Sequence, residues 1–77
     1  MNDLIIIGAG GFGICTASIV ERINAVHPTW NLLGFLDDNK DLQNKEVFGY
    51  SVLGPISAAA DYPNAYFQCS IGFPKIR

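Results

Sequence analysis

Six residues near the amino terminus, Gly8-Ala9-Gly10-Gly11-Phe12-Gly13, have the types and spacing that let a polypeptide backbone hold a phosphate. They follow the apolar run Leu4-Ile5-Ile6-Ile7 and precede a helical pattern, so the glycines fall at a strand-to-helix turn. Each glycine there has a job. Gly8 permits the tight turn, Gly10 and Gly11 let backbone approach a ligand, and Gly13 lets the helix pack close to the strand. The amides of the first helical turn, together with the helix dipole, then attract an anion. Glycine-rich turns also arise by chance, and the string gains meaning only from this setting.

The second chemical feature is Asp37-Asp38, at the end of the apolar run Trp30–Leu36. An acid closing the second strand of a dinucleotide domain accepts hydrogen bonds from ribose hydroxyls. Carboxylates repel phosphate, so this pair addresses the sugar or base end of a nucleotide; a uracil N–H is a further donor of the right kind. The competing reading is an Asp-Asp-Asn turn capped by its own side chains. Other chemistry is sparse. His27, the single histidine, sits at a helix end before Pro28, where a helix C-terminus accounts for it. Cys15 and Cys69 have neither CxxC spacing nor histidine neighbours, which argues against zinc, and both read as reduced, core-filling thiols. No acid–base pair accompanies a nucleophile, so no catalytic residue is assigned.

Composition narrows the classes. Seventy-seven residues with a net charge of −2 make one small domain without the basic field that nucleic acid or an anionic membrane attracts. No apolar run approaches the roughly 18–20 residues of a membrane span, and the amino terminus lacks a secretory signal. A cytoplasmic protein is expected.

The positioning elements follow from periodicity. Residues 11 to about 26 predict a helix, with Phe12, Cys15, Ile19, Ile23 and Val26 at steps of three and four as its core-facing stripe. Strand, helix and strand make a right-handed βαβ unit with parallel strands. Residues 40–46 predict a surface loop. Residues 47–54 predict one strand, or two around a glycine turn. Pro55 opens a short second helix from Ile56 to about Asp61. Ala65–Ile71 predicts a last strand with Ala65, Phe67, Cys69 and Ile71 on one face and Tyr66, Gln68 and Ser70 on a wet one. The fold class is α/β, a Rossmann-like βαβ sandwich with a small, mainly parallel sheet. In such a sheet ligands bind beyond the carboxyl ends of the strands. Gly10–Phe12, Asp37-Asp38 and the segment from Gly72 to Lys75 are expected to meet there.

Taken together, IIIGAGGFG, GFLDDN, the GYSVLG turn and SIGFPKIR resemble, in order and spacing, the N-terminal domain of the sugar-nucleotide O- and N-acetyltransferases. These are the sialic acid O-acetyltransferase-like and bacillosamine-pathway enzymes, and the resemblance covers Leu4 to Arg77. It implies a domain that holds the UDP part of an amino-sugar nucleotide, with Gly10, Gly11 and Phe12 along the nucleotide. Asp37 and Asp38 would lie at its uridine end, with Gly72 and Lys75 closing the pocket and Arg77 in a structural or ligand role. It also implies a left-handed β-helix of hexapeptide repeats that binds acetyl-CoA, carries the catalytic histidine and forms trimers. No hexapeptide repeat occurs in the 77 residues, so that chemistry is expected outside them. Where members often carry a polar pair after GxG, this chain has Ile14 and Cys15. Two other classes stay open: an NAD(P)-binding fragment of an oxidoreductase, and a non-catalytic interaction module. Exposed strand edges predict a dimer or higher assembly of the isolated domain.

Overall fold

The computed structural model describes residues 1–69. The apolar amino-terminal run forms β1 (Asn2–Ile7), and the glycine turn leads into α1 (Gly11–Val26). Then come β2 (Trp30–Leu36), the two-residue β3 (Glu46–Val47), β4 (Tyr50–Gly54) and β5 (Tyr66–Cys69). They form one five-stranded sheet in the order β3-β4-β2-β1-β5. β2 and β5 both run parallel to β1, β4 runs parallel to β2, and only the β3–β4 hairpin is antiparallel. The expected α/β sandwich is present. Chain order departs from β1 in both directions, through β2 on one side and β5 on the other, so the strand order reverses beside β1.

Local chemistry explains most of the connections. The 47–54 segment is two strands, because Phe48 and Gly49 both adopt positive φ (54° and 85°), the paired left-handed turn that matches hairpin twist. Asn24 clasps the α1–β2 corner: its Nδ2 donates to the Trp30 carbonyl at 2.7 Å, and its Oδ1 accepts from the Thr29 and Trp30 amides at 3.0 Å each. The polar stretch expected as loop holds one 3₁₀ turn, Lys40–Leu42, started by the Asn39 side chain accepting from the Asp41 amide. The second helix, Ile56–Asp61, is also 3₁₀ rather than α. Seven residues between Pro55 and Pro63 give too few hydrogen bonds to offset the cost of nucleating an α-helix.

The core differs from the expected one in which face of α1 it uses. Ile6, Ala9, Ala17, Phe35 and Val52 form a buried cluster between α1 and the sheet, and the buried helix residues are Gly13, Ala17 and Val20. The stripe Phe12, Cys15, Ile19, Ile23 and Val26 is exposed. The physical reason is distance. Gly13 and Ala17 bring the helix axis close to β1, and small residues are what such an approach leaves room for. The bulky stripe is thereby turned sideways, along the sheet surface. Cys15 and Cys69 are free but exposed, not core-filling. All four residues of β5 are exposed too, so its apolar face is no more covered than its polar one. Across the other flank of α1, the Tyr50 hydroxyl donates to the Glu21 carboxylate at 2.7 Å. That hydrogen bond, helped by partial burial and the Glu21 charge, raises the Tyr50 pKa above its ordinary value.

Candidate functional site

At the carboxyl ends of the parallel strands the chain makes one connected cluster of turns. Gly8, at φ 103°, reverses the backbone after β1, and its amide donates to the Leu36 carbonyl at 2.7 Å. Ala9 is buried beneath the turn, while Gly10, Gly11 and Phe12 are exposed. Gly10 is the N-cap of α1 and offers no side chain to the helix, and no acidic residue stands in the first turn. The leading amides of α1 are therefore left without a side-chain acceptor. A Cβ built on Gly10 or Gly11 would meet no atom within 4 Å, so the space over both is open. Gly13 is the opposite case. A Cβ there would collide with the Gly8 carbonyl oxygen, so this glycine closes the helix onto the loop.

The two aspartates knit this cluster together. Asp37 Oδ2 accepts from the Ala9 amide at 2.8 Å, tying the end of β2 to the glycine loop, and Asp37 Oδ1 accepts from the Asn39 amide at 2.8 Å. Asp38 Oδ1 accepts from the Ile56 amide at 2.8 Å, tying the same strand end to the turn after β4. The Asp37 amide donates to the Gly54 carbonyl at 3.0 Å, and Gln43 Nε2 donates to the Asp37 carbonyl at 2.6 Å. Asp37 is half-buried and Asp38 exposed. Both acids thus spend oxygens on the protein's own backbone. A carboxylate offers about four acceptor directions, so each keeps directions for an outside donor.

Of the expected site residues, the structure brings Gly8, Gly10, Gly11, Phe12, Gly13, Asp37 and Asp38 to one end of the sheet, beside the point where strand order reverses. Gly72, Lys75 and Arg77 lie outside the described residues. The structure adds a third segment that periodicity had read only as a strand end and a helix start: Gly54, Pro55 and Ile56. A backbone carbonyl and a backbone amide make those contacts, and no residue type in the sequence signals them. Among the described residues no group of three histidine, cysteine or acidic side chains could hold a metal ion. No described helix is long and apolar enough to cross a membrane.

The Asp37 clasp gives a testable energetic statement. Asp37→Ala leaves the buried Ala9 amide unpaired and should cost about 2 kcal/mol, the usual penalty for stranding a buried donor that had a charged acceptor. Asp37→Asn keeps one acceptor oxygen and should cost about half of that. Urea unfolding of the three proteins checks the ranking; equal midpoints for Asp37→Ala and the parent would refute the clasp.

With the glycine loop, the aspartate pair and the reversal of strand order in place, the remaining question is which family the chain represents. A family model described as the PglD N-terminal domain matches residues 3–77. The chain belongs to that family, the N-terminal domains of PglD bacillosamine acetyltransferases. Its match runs through β1, the glycine loop, the aspartate pair and β5, and so includes every site segment named above. No curated protein matches the chain.

Proposed function

We propose that this chain is the part of a cytoplasmic sugar-nucleotide acetyltransferase that binds a UDP-linked amino sugar, with acetyl-CoA and the acetyl-transfer step handled by a further domain. The observation that carries the reading is the uncapped start of α1 at Gly10 and Gly11, open to solvent and roofed by nothing within 4 Å of a Cβ. Amides left without an acceptor at a helix N-terminus suit a diphosphate, which carries its own acceptors and two negative charges. Asp37 and Asp38, at the neighbouring strand end, suit the uridine end, which brings hydroxyl and N–H donors. In this reading the Asp37–Ala9 bond holds the loop in its receptive shape, and the outward oxygen directions of the pair meet the ligand. The domain's contribution is then to hold and orient: it fixes the phosphates and leaves the sugar projecting toward the acetyl donor.

Isothermal titration with UDP, a UDP-linked amino sugar and NAD tests this directly. Heat from both uridine ligands and none from NAD is the expected pattern. Heat from NAD alone would move the chain to the dinucleotide-binding class, and silence from all three would make the loop a structural turn.

A further inference from the structure

In the connection from β2 to β3, one side chain holds the backbone on both sides of Asp38. Gln43 closes the 3₁₀ turn Lys40–Leu42, and its Nε2 donates to two carbonyls, that of Asp37 at 2.6 Å and that of Asn39 at 2.9 Å. A primary amide has two N–H donors, so both are engaged. The residues that own those carbonyls flank Asp38 directly. Gln43 thus grips alternate carbonyls of a short extended stretch, as a neighbouring strand would.

The two aspartates differ in how much they need such a grip. Asp37 is held already: its amide donates to the Gly54 carbonyl, and its carboxylate oxygens accept from the Ala9 and Asn39 amides. Asp38 stands one residue further out, past Leu36 and Gly54, the last pair of β2 with β4. It is exposed, and among the described residues its carboxylate takes one hydrogen bond, from the Ile56 amide to Oδ1. Oδ2 is left for an outside donor. Backbone beyond a sheet has conformational freedom to lose, and a carboxylate on it contacts a ligand well only if that freedom is removed beforehand. Gln43 can remove it because it is anchored itself. Gln43 is half-buried, and its neighbour Leu42 packs against the core cluster of Ile6, Phe35 and Val52. Two residues on, the Lys45 carbonyl accepts from the Val52 amide at 2.8 Å. The brace therefore runs from the core to the acid.

We infer that Gln43 is a positioning residue for the uridine end of the site: it fixes the backbone from Asp37 to Asn39, so that the free oxygen of Asp38 meets a donor on the ligand. This role rests on the reading that the aspartate pair faces a UDP-linked ligand. It adds that the pair is preorganised from the polar β2–β3 connection, not by the glycine loop alone. Gln43 touches no ligand in this role; its effect passes through Asp38. A side chain that only stapled the connection would alter stability and leave binding alone.

Isothermal titration with UDP, beside urea unfolding, tests this on the parent chain, Gln43→Met, Asp38→Ala and the double variant. Methionine keeps the length and bulk of glutamine and lacks both donors. Gln43→Met should weaken UDP binding about tenfold, the effect of losing the order that two neutral hydrogen bonds supply. In the Asp38→Ala background the same substitution should lower the urea midpoint again but leave UDP affinity unchanged, because residues that act as a unit are not additive. Gln43→Ser, too short to reach either carbonyl yet suited to a polar turn, is a second variant for the same comparison and should lose as much affinity. UDP binding that is equal in the parent and in a folded Gln43 variant would overturn the inference and leave the proposed site standing. So would equal losses with and without the Asp38 carboxylate. A parent chain that gives no heat with UDP would remove the site and the role of Gln43 together.

Discussion

Gly13→Ala should lower the stability of the domain by about 3 kcal/mol, a large share of what holds a chain this short together. The added Cβ would collide with the Gly8 carbonyl oxygen, lie 3.0 Å from the Gly8 carbonyl carbon and press within 3.3 Å of the Phe35 ring. Backbone atoms cannot swing aside as a side-chain end can, so the helix itself must move outward. Moving it opens the contact of Ala17 and Val20 with the sheet, where the buried residues of α1 lie. Overpacking of that kind costs about 3 kcal/mol or more, against a total of roughly 4–11 kcal/mol for a domain this size. Gly10→Ala is the matched control, since nothing lies within 4 Å of its added atom. It should change stability by less than about 1 kcal/mol, the small difference between glycine and alanine at an N-cap. Urea midpoints that agree for the two variants would mean the helix does not rest on Gly8.

The same distance argument separates what was legible in the sequence from what was not. The isoleucine run, the glycine turn, the helix to Val26 and the parallel β2 could all be read, because each is a local pattern with a local cause. The helix face could not. Phe12, Cys15, Ile19, Ile23 and Val26 are the most apolar stripe on α1, yet the sheet is met by Gly13, Ala17 and Val20. Periodicity ranks faces by hydrophobicity, whereas close helix–sheet approach selects small residues. The two criteria coincide only when the apolar stripe is also the thin one. In the site, the loop and the acid pair were visible from residue types, and their common position followed from the strand order. The Asp37–Ala9 and Asp38–Ile56 bonds were not visible. Each joins a side chain to a backbone amide distant in sequence, and an amide leaves no trace in residue identity. Of the two readings weighed for the aspartates, the capped turn is present in a wider form that ties three turns together, and contact with a ligand belongs to the proposed function.

Gly11→Glu should move stability and nucleotide binding in opposite directions, which no purely structural role for the loop would do. Gly11 opens α1, is exposed, and has room for a side chain. Replacing a helical glycine removes backbone freedom from the unfolded chain, and a carboxylate in the first turn meets the positive end of the helix dipole. Together these are worth about 1 kcal/mol, or a rise in melting temperature of about 4–8 °C for a domain of this length. The same carboxylate would occupy the amides proposed to receive the diphosphate and would repel its charge. Affinity for UDP and for a UDP-linked amino sugar should then fall by about a hundredfold, some 2.7 kcal/mol. Gly11→Gln divides the effect into its causes. It keeps the bulk and the gain in helix propensity but loses the charge, so stability should rise less and binding should fall less. If melting rises with Glu while the uridine ligands bind as before, the α1 amides are no part of the site. A loss of binding as large with Gln as with Glu would make the barrier steric, and the ligand would then reach this loop through shape, not charge.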